Sequence, residues 1–266
     1  MEDTLGARTF RGAAESYDRF VGRYSGELAR AFADVADPRP GERALDVGCG
    51  PGALTAELAS RLGVAHVAAV DPSPSFAATC AVRLPGVDVR VASAEALPFA
   101  DGDFDAALAQ LVVNFMTDPL AGVREMRRVT RAGGTVGAAV WDYAGEMTLL
   151  RTFWDAASAV DTAAGDLDEG RSMWPCTAEA LGRLLSDAGL ADVEVRQVVV
   201  SAAYDDFDDL WQPLESGVGP AGAHVAALPS KRREALRAEL RSRLGVGATP
   251  FRLSARAWIA VGRVER

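Results

Sequence analysis

Apolar and polar positions along this chain follow two rhythms. Short apolar runs of strand length are followed by longer stretches in which apolar residues recur at i, i+3 and i+4. The run Arg43-Ala44-Leu45-Asp46-Val47 predicts a first strand, and residues 54–62 predict a helix behind it. The alternation continues with a strand over 66–70, a helix over 75–83, strands over 87–91 and 104–109, and a helix over 119–129. After Gly133-Gly134 comes a strand over 134–141. Strands separated by helices imply right-handed crossovers and a parallel sheet with helices on both faces. The expected class is doubly wound α/β.

Past Trp141 the rhythm changes. Residues 147–160 read as a helix with Leu149, Leu150, Phe153, Trp154 and Ala157 on one face, and an acidic, glycine-containing stretch follows at 161–170. A helix over 177–188 and a strand over 193–200 restore the core pattern, which closes with a strand over 251–262. Between those strands lies the acidic aromatic stretch Tyr204-Asp205-Asp206-Phe207-Asp208-Asp209-Leu210-Trp211. A glycine-rich stretch from Gly217 to Ala223, read as flexible, and a basic helix over 231–243 complete this interruption. We expect one domain with its core at about 38–142, 177–200 and 251–264. Insertions at about 143–176 and 202–247 are expected to form a helical cap.

Composition then removes function classes. The 266 residues carry a net charge of −9, which disfavours a nucleic-acid partner. Of 28 basic residues, Lys231 is the one lysine, and it follows Ser230 rather than glycine, so a GxxxxGK[ST] phosphate loop is absent. Cys49, Cys80 and Cys176 are widely spaced without a CxxC, so neither a disulfide framework nor a metal site is expected. Residues 1–10 lack an apolar run, and nowhere do about 18 apolar residues run together. The expectation is a cytoplasmic protein with a small-molecule partner and no membrane span; its oligomeric state is open.

The chemistry is concentrated in Asp46-Val47-Gly48-Cys49-Gly50-Pro51-Gly52, between the first strand and its helix. Glycines there permit a sharp strand-to-helix turn and let a ligand lie against the backbone beside the helix N-terminus. Gly48, Gly50 and Ala53 also satisfy the loose GxGxx[G/A] dinucleotide fingerprint, so nicotinamide binding stays open. Asp71, at the end of the second strand, suits ribose hydroxyls in either case. None of Tyr17, Tyr24, Tyr143 or Tyr204 has a lysine four residues on, so the Tyr-x-x-x-Lys pair of short-chain reductases is missing.

Further segments follow in order: Val70-Asp71-Pro72-Ser73, Ala94-Glu95-Ala96-Leu97-Pro98-Phe99, Phe104-Asp105, and Glu125-Met126-Arg127-Arg128-Val129 leading to Gly133-Gly134. With the glycine loop, and over roughly residues 10–142, they resemble class I S-adenosylmethionine-dependent methyltransferases of the type 11, ubiquinone-biosynthesis-like group. The resemblance implies a Rossmann-like seven-stranded sheet of order 3-2-1-4-5-7-6, its last strand antiparallel, with S-adenosylmethionine across the carboxyl ends of the strands. It implies that Gly48, Gly50 and Gly52 approach the methionine moiety. Asp71 would hold the ribose, with Pro72 beside it, and Ala94 would offer its N–H to adenine. Gln110 would line the methionyl end, and Tyr17, in Ala14-Glu15-Ser16-Tyr17-Asp18, would cover the cofactor.

Two roles are open to Asp46, ligand contact or acceptance of N–H bonds from the glycine loop. Glu95 likewise either meets ligand or is a solvated turn residue. Three positions depart from the family pattern. Ser93 stands where the family commonly has Asp, Asn114-Phe115 where a His pair is frequent, and Ala132-Gly133-Gly134 where Pro-Gly-Gly is usual. Asn114, Phe115 and Trp141 are the candidate acceptor-pocket residues, His224 is a candidate base, and His66 is read as a strand-end histidine. The expected activity is methyl transfer to a small, partly apolar or aromatic metabolite, leaving S-adenosylhomocysteine. The alternatives are a non-catalytic S-adenosylmethionine-binding module and an NAD(P)-dependent oxidoreductase.

Overall fold

The computed structural model describes residues 18–172 and 176–265. Its elements run α1 (Gly22–Ala36), β1 (Ala44–Val47), α2 (Ala53–Leu62), β2 (Val67–Asp71), α3 (Pro74–Arg83), β3 (Asp88–Val91), β4 (Phe104–Gln110), α4 (Pro119–Val129) and β5 (Thr130–Trp141). Then follow α5 (Thr148–Val160), α6 (Glu169–Ser172), α7 (Ala178–Asp187), β6 (Ala191–Tyr204), α8 (Phe207–Glu215), α9 (Gly219–Ala227), α10 (Ser230–Leu244) and β7 (Phe251–Arg263).

Contacts group the chain into two units. The first comprises the described residues of Ser25–Trp141, Cys176–Val198 and Ala257–Arg266 and holds β1 to β5 with parts of β6 and β7. Strand order is β3-β2-β1-β4-β5-β7-β6, as the family resemblance implies. Strands β1 to β5 pair in parallel, whereas β7 runs antiparallel to β5. Every residue of β1 and β2 is buried, which is the signature of a strand covered on both faces. The register sets Asp46 opposite Ala69 on one side and Leu108 on the other, so the ends of β1, β2 and β4 form one edge. Helix α4 matches its expected span: Asp118 accepts a hydrogen bond from Ala121 N–H at 3.0 Å, Pro119 occupies the first turn, and Val123, Met126 and Val129 are buried.

Strand β6 runs from Ala191 to Tyr204, past the expected 193–200, and the starts of β2 and β5 differ from expectation for local reasons. Strand β2 starts at Val67 because Val64–His66 forms a single 3-10 turn, which places His66 before the strand. Strand β5 starts at Thr130, because Gly133-Gly134 forms a bulge inside the strand rather than a turn before it. Its register against β4 jumps from Phe104↔Thr130 to Ala106↔Thr135. A Cβ at Gly134 would lie 2.5 Å from Thr130 Cγ2 and 2.6 Å from the Asp105 carbonyl oxygen, so that crossing requires glycine.

The second unit comprises the described residues of Met1–Tyr24, Asp142–Pro175 and Val199–Arg256 and is largely helical. The acidic aromatic stretch is the start of α8. Asp206 accepts from Asp209 N–H at 2.9 Å, Asp208 and Asp209 sit in the first turn, and Phe207, Leu210, Trp211 and Leu214 are buried. Acids at a helix start suit its dipole. The stretch expected to be flexible is α9, with Pro220 in its first turn and Ala221 and Val225 buried. Along α10 the basic side chains are engaged locally, Arg232 with Asp161 and Arg237 with Asp208. The Tyr24 and Tyr204 hydroxyls meet at 3.1 Å, both rings buried.

Candidate functional site

The glycine loop leaves β1 at the carboxyl edge of the sheet. Gly48 and Cys49 both donate their N–H groups to the Val70 carbonyl, at 2.8 and 2.9 Å, which fastens the loop to β2. Gly48, at φ +74°, is required by packing, because a Cβ there would fall 2.4 Å from Val112 Cγ2. Gly50, at φ +52°, is different: among the described residues nothing lies within 4 Å of the position its Cβ would take. The loop is thus backed by protein at Gly48 and open at Gly50. Gly52 is the residue that enters α2, facing Cys80 and Leu84.

Asp71 ties this loop to the end of β2. Its Oδ2 accepts the Gly50 N–H at 2.8 Å and its Oδ1 accepts the Ser73 N–H at 2.8 Å. The carboxyl is 6% exposed; burial pushes its pKa above the usual carboxylate range while the two amides pull it back. Each oxygen retains acceptor capacity beyond its one amide. Pro72 is exposed beside it.

Asp46 is 1% exposed and takes its hydrogen bond from the Thr55 hydroxyl, at 2.6 Å, not from the loop amides considered above. Its Oδ1 is buried without a hydrogen-bond partner. Burial pushes the carboxyl up to about 7, with the Thr55 bond acting in the opposite direction. At the end of β4, the Gln110 amide donates from Nε2 to the Ser25 carbonyl at 3.2 Å, while its Oε1 is a second buried acceptor without a partner. Leu111, the next residue, sits at φ +62°, a costly conformation for a branched side chain. Neither Leu111 nor Val112 was expected in the site, because no glycine marks the turn.

After β3, Ala92 N–H donates to the Asp71 carbonyl at 3.2 Å, bringing the next loop alongside. Ala94 is buried there and Ser93 is exposed. Glu95 is half-buried; its Oε1 accepts the Thr117 N–H at 2.9 Å and its Oε2 receives the Ser93 hydroxyl. Asn114 is buried and Phe115 half-buried, both on a 3-10 turn, Val113–Phe115. Trp141, at the end of β5, is 1% exposed in the register pair with Ala257.

His224 lies in the helical unit, on α9, with its ring 5.6 Å from that of Trp154 and 6.3 Å from Phe153. Burial lowers its imidazole pKa, with Asp161 acting the other way. Trp154 Nε1 donates at 3.0 Å to Glu169, a buried carboxyl that burial pushes up to about 7. Tyr17 lies outside the described residues. Among the described residues no group of three or more His, Cys, Asp or Glu is arranged to hold a metal ion, and no helix is long and apolar enough to cross a membrane.

The edge therefore combines a glycine open among the described residues, the buried acid Asp71, and the unpaired acceptors Asp46 Oδ1 and Gln110 Oε1. Buried acceptors left without donors are exceptional, and a bound water or a donor-bearing ligand would satisfy them. A nucleoside that carries an ammonium group fits this set, as S-adenosylmethionine does.

Sheet order and loop define the Rossmann-like methyltransferase class. A family model described as a methyltransferase domain matches residues 45–137. The demethylmenaquinone methyltransferase of Clavibacter sepedonicus is 32% identical over 219 residues, 76% of this chain and 81% of that protein. The demethylmenaquinone methyltransferase of Beutenbergia cavernae is 41% identical over 105 residues, 40% of this chain and 43% of that protein. Across such curated relatives the chain spans from a third of the other protein's length to about four fifths. The crystal structure of the YcgJ protein of Bacillus subtilis shares the fold, with a TM-score of 0.59 at 15% identity over 90% of this chain and 99% of that one. The chain belongs to the S-adenosylmethionine-dependent methyltransferase family.

Proposed function

We propose that this chain transfers a methyl group from S-adenosylmethionine to a small, partly apolar or aromatic metabolite. The observation that carries the reading is the Asp71 clamp. One buried carboxyl, with acceptor capacity to spare, holds the amide of the loop glycine that, among the described residues, opens on empty space. The relatives named as demethylmenaquinone and ubiquinone-biosynthesis methyltransferases support an aromatic, partly apolar acceptor. Cys49 and Cys80, buried thiols outside any disulfide, support a reducing, cytoplasmic setting.

The bound cofactor supplies a methyl group on a sulfonium, an activated carbon centre. The chain's own contribution is alignment and exclusion of water. Asp71, which holds Gly50 in place, would orient the ribose hydroxyls, and Asp46 on β1 and Gln110 at the end of β4 would hold the ammonium. A phenol or amine acceptor sheds its proton without a strong base, so the reading does not depend on His224.

The test is a calorimetric titration of wild type and Asp71→Ala with S-adenosylhomocysteine and with NADH, followed by a labelled-methyl assay on phenols, amines and carboxylic acids. Micromolar S-adenosylhomocysteine binding that weakens at least about tenfold in the variant is expected. Binding of NADH alone, or of neither ligand at millimolar concentration, would overturn the proposal.

A further inference from the structure

Two cysteines that lie far apart in the sequence meet where the glycine loop packs on α3. Cys49 of the loop, Ala69 of β2 and Cys80 of the helix form one buried cluster, flanked by Leu84, Val87 and Val89. The two thiols lie within hydrogen-bond reach of each other. The packing around them is tight: Gly52 N–H donates to the Cys49 carbonyl at 3.0 Å, and a Cβ at Gly52 would stand 3.1 Å from Cys80 Sγ.

Cys80 is the anchored member. Its Sγ donates to Thr55 Oγ1 at 3.6 Å, the Thr55 hydroxyl donates in turn to Asp46, and the Cys80 carbonyl accepts the Leu84 N–H at 2.9 Å within α3. Cys49 rides on the loop, where its thiol also reaches the Gly50 carbonyl at 3.6 Å. Cys80 has no exposed surface, whereas Cys49 keeps 6% of its own. A water-sized oxidant therefore meets Cys49 first, with Cys80 beside it as the resolving thiol.

We infer that Cys49 and Cys80 are a modification site, a reversible disulfide formed by a peroxide that closes the glycine loop to nucleoside. In the first step the Cys49 sulfur attacks one peroxide oxygen, the O–O bond breaks, and a sulfenic acid and water result. In the second the Cys80 sulfur attacks the Cys49 sulfur, the S–S bond forms, the S–O bond breaks, and the Cys80 proton leaves with the hydroxyl as water. Two thiols and one hydrogen peroxide become one disulfide and two waters, the sulfurs giving up the two electrons that the peroxide takes. Burial pushes the Cys49 thiol above its usual range, so the first step is slow and the pair stays reduced until peroxide is in excess.

A disulfide holds its sulfurs about 2 Å apart, well inside non-bonded contact. With Cys80 anchored, the loop makes up the difference. Cys49 is followed directly by Gly50, whose N–H is bonded to Asp71 Oδ2, so the bridge draws that amide off the carboxyl and undoes the clamp. The effect on nucleoside rests on the methyltransferase reading; the bridge itself does not.

The two are read separately on the whole chain. Trypsin cuts after Arg43, Arg61 and Arg83, which puts Cys49 and Cys80 in the neighbouring peptides 44–61 and 62–83 and Cys176 in a third. After hydrogen peroxide, alkylation in denaturant and trypsin, mass spectrometry is expected to find 44–61 joined to 62–83 with the loss of two hydrogens, and Cys176 alkylated. Calorimetry on the same oxidised protein is expected to show S-adenosylhomocysteine binding at least about tenfold weaker, recovered with dithiothreitol. Cys80→Ser, or Cys80→Ala if the serine does not fold, should give no joined peptide and stay within about threefold of its untreated affinity. Three alkylated thiols after peroxide, a bridge that includes Cys176, or oxidation that stops at a sulfinic acid overturns the disulfide. A bridge between Cys49 and Cys80 with unchanged affinity overturns its hold on the loop. Failure of reduced wild type to bind S-adenosylhomocysteine overturns the methyltransferase reading instead, and the peptide map still decides the bridge.

Discussion

Replacing Asp46 with Asn keeps the side chain's shape and its bond from Thr55 but removes a charge that burial disfavours. The native carboxyl takes up its proton near pH 7, whereas an ordinary one does so at 3.8. At about 1.4 kcal/mol per unit, the gap is worth about 4 kcal/mol. The native pKa lies above the unfolded one, so this contribution is complete below pH 3.8 and is lost as pH rises through about 7. An amide shows no such loss. Thermal unfolding of the ligand-free protein at pH 3.5, 6, 7 and 8.5 should therefore show wild type and Asp46→Asn melting within about 2 °C of each other at the acid end. Above pH 8 the variant should melt roughly 10 °C higher, at 2–4 °C per kcal/mol for a chain of this size. The same variant should bind S-adenosylhomocysteine more weakly, because an ammonium would meet a neutral amide. Parallel melting profiles across the whole range would refute a desolvated Asp46.

Glu169→Gln should behave similarly in the helical unit. The amide oxygen still accepts from Trp154, the native carboxyl titrates near 7 against an ordinary 4.5, and melting should rise above pH 7 by an amount equivalent to about 3 kcal/mol. Gly48→Ala and Gly50→Ala should separate folding from binding. The first drives a methyl into Val112 and should lower stability by about 1–3 kcal/mol as well as abolish S-adenosylhomocysteine binding. The second meets open space, so melting should fall only by the roughly 1–2 kcal/mol of a left-handed alanine while affinity drops at least about tenfold. A Gly50→Ala protein that binds like wild type would mean that the open side of the loop faces no ligand.

The sheet was legible because its strands are apolar on both faces and its helices carry their own punctuation, as with Asp118-Pro119 before α4. Strand order came from the resemblance, since periodicity alone does not say where a strand inserts. Glycine misled twice. At Gly133-Gly134 it marked a bulge rather than a turn, and from Gly217 to Ala223 it suggested a flexible segment where buried Ala221 and Val225 hold a helix. For the candidate site, the glycine loop and Asp71 were expected from residue type and spacing, and Gln110 from the resemblance. The partner of Asp46 was not, because a hydroxyl nine residues on, at Thr55, comes within reach only once α2 has formed. Leu111 carries a positive φ that nothing in its identity announces.

The Asp71 clamp has a kinetic meaning. Hydrogen bonds from Gly50 and Ser73, with the Val70 carbonyl holding Gly48 and Cys49, shape the loop before any ligand arrives. The backbone entropy of that turn is surrendered when the chain folds, not when the nucleoside docks. Encounter with the clamped segment is therefore a collision with a preformed cradle, with no ordering of these residues standing between encounter and complex.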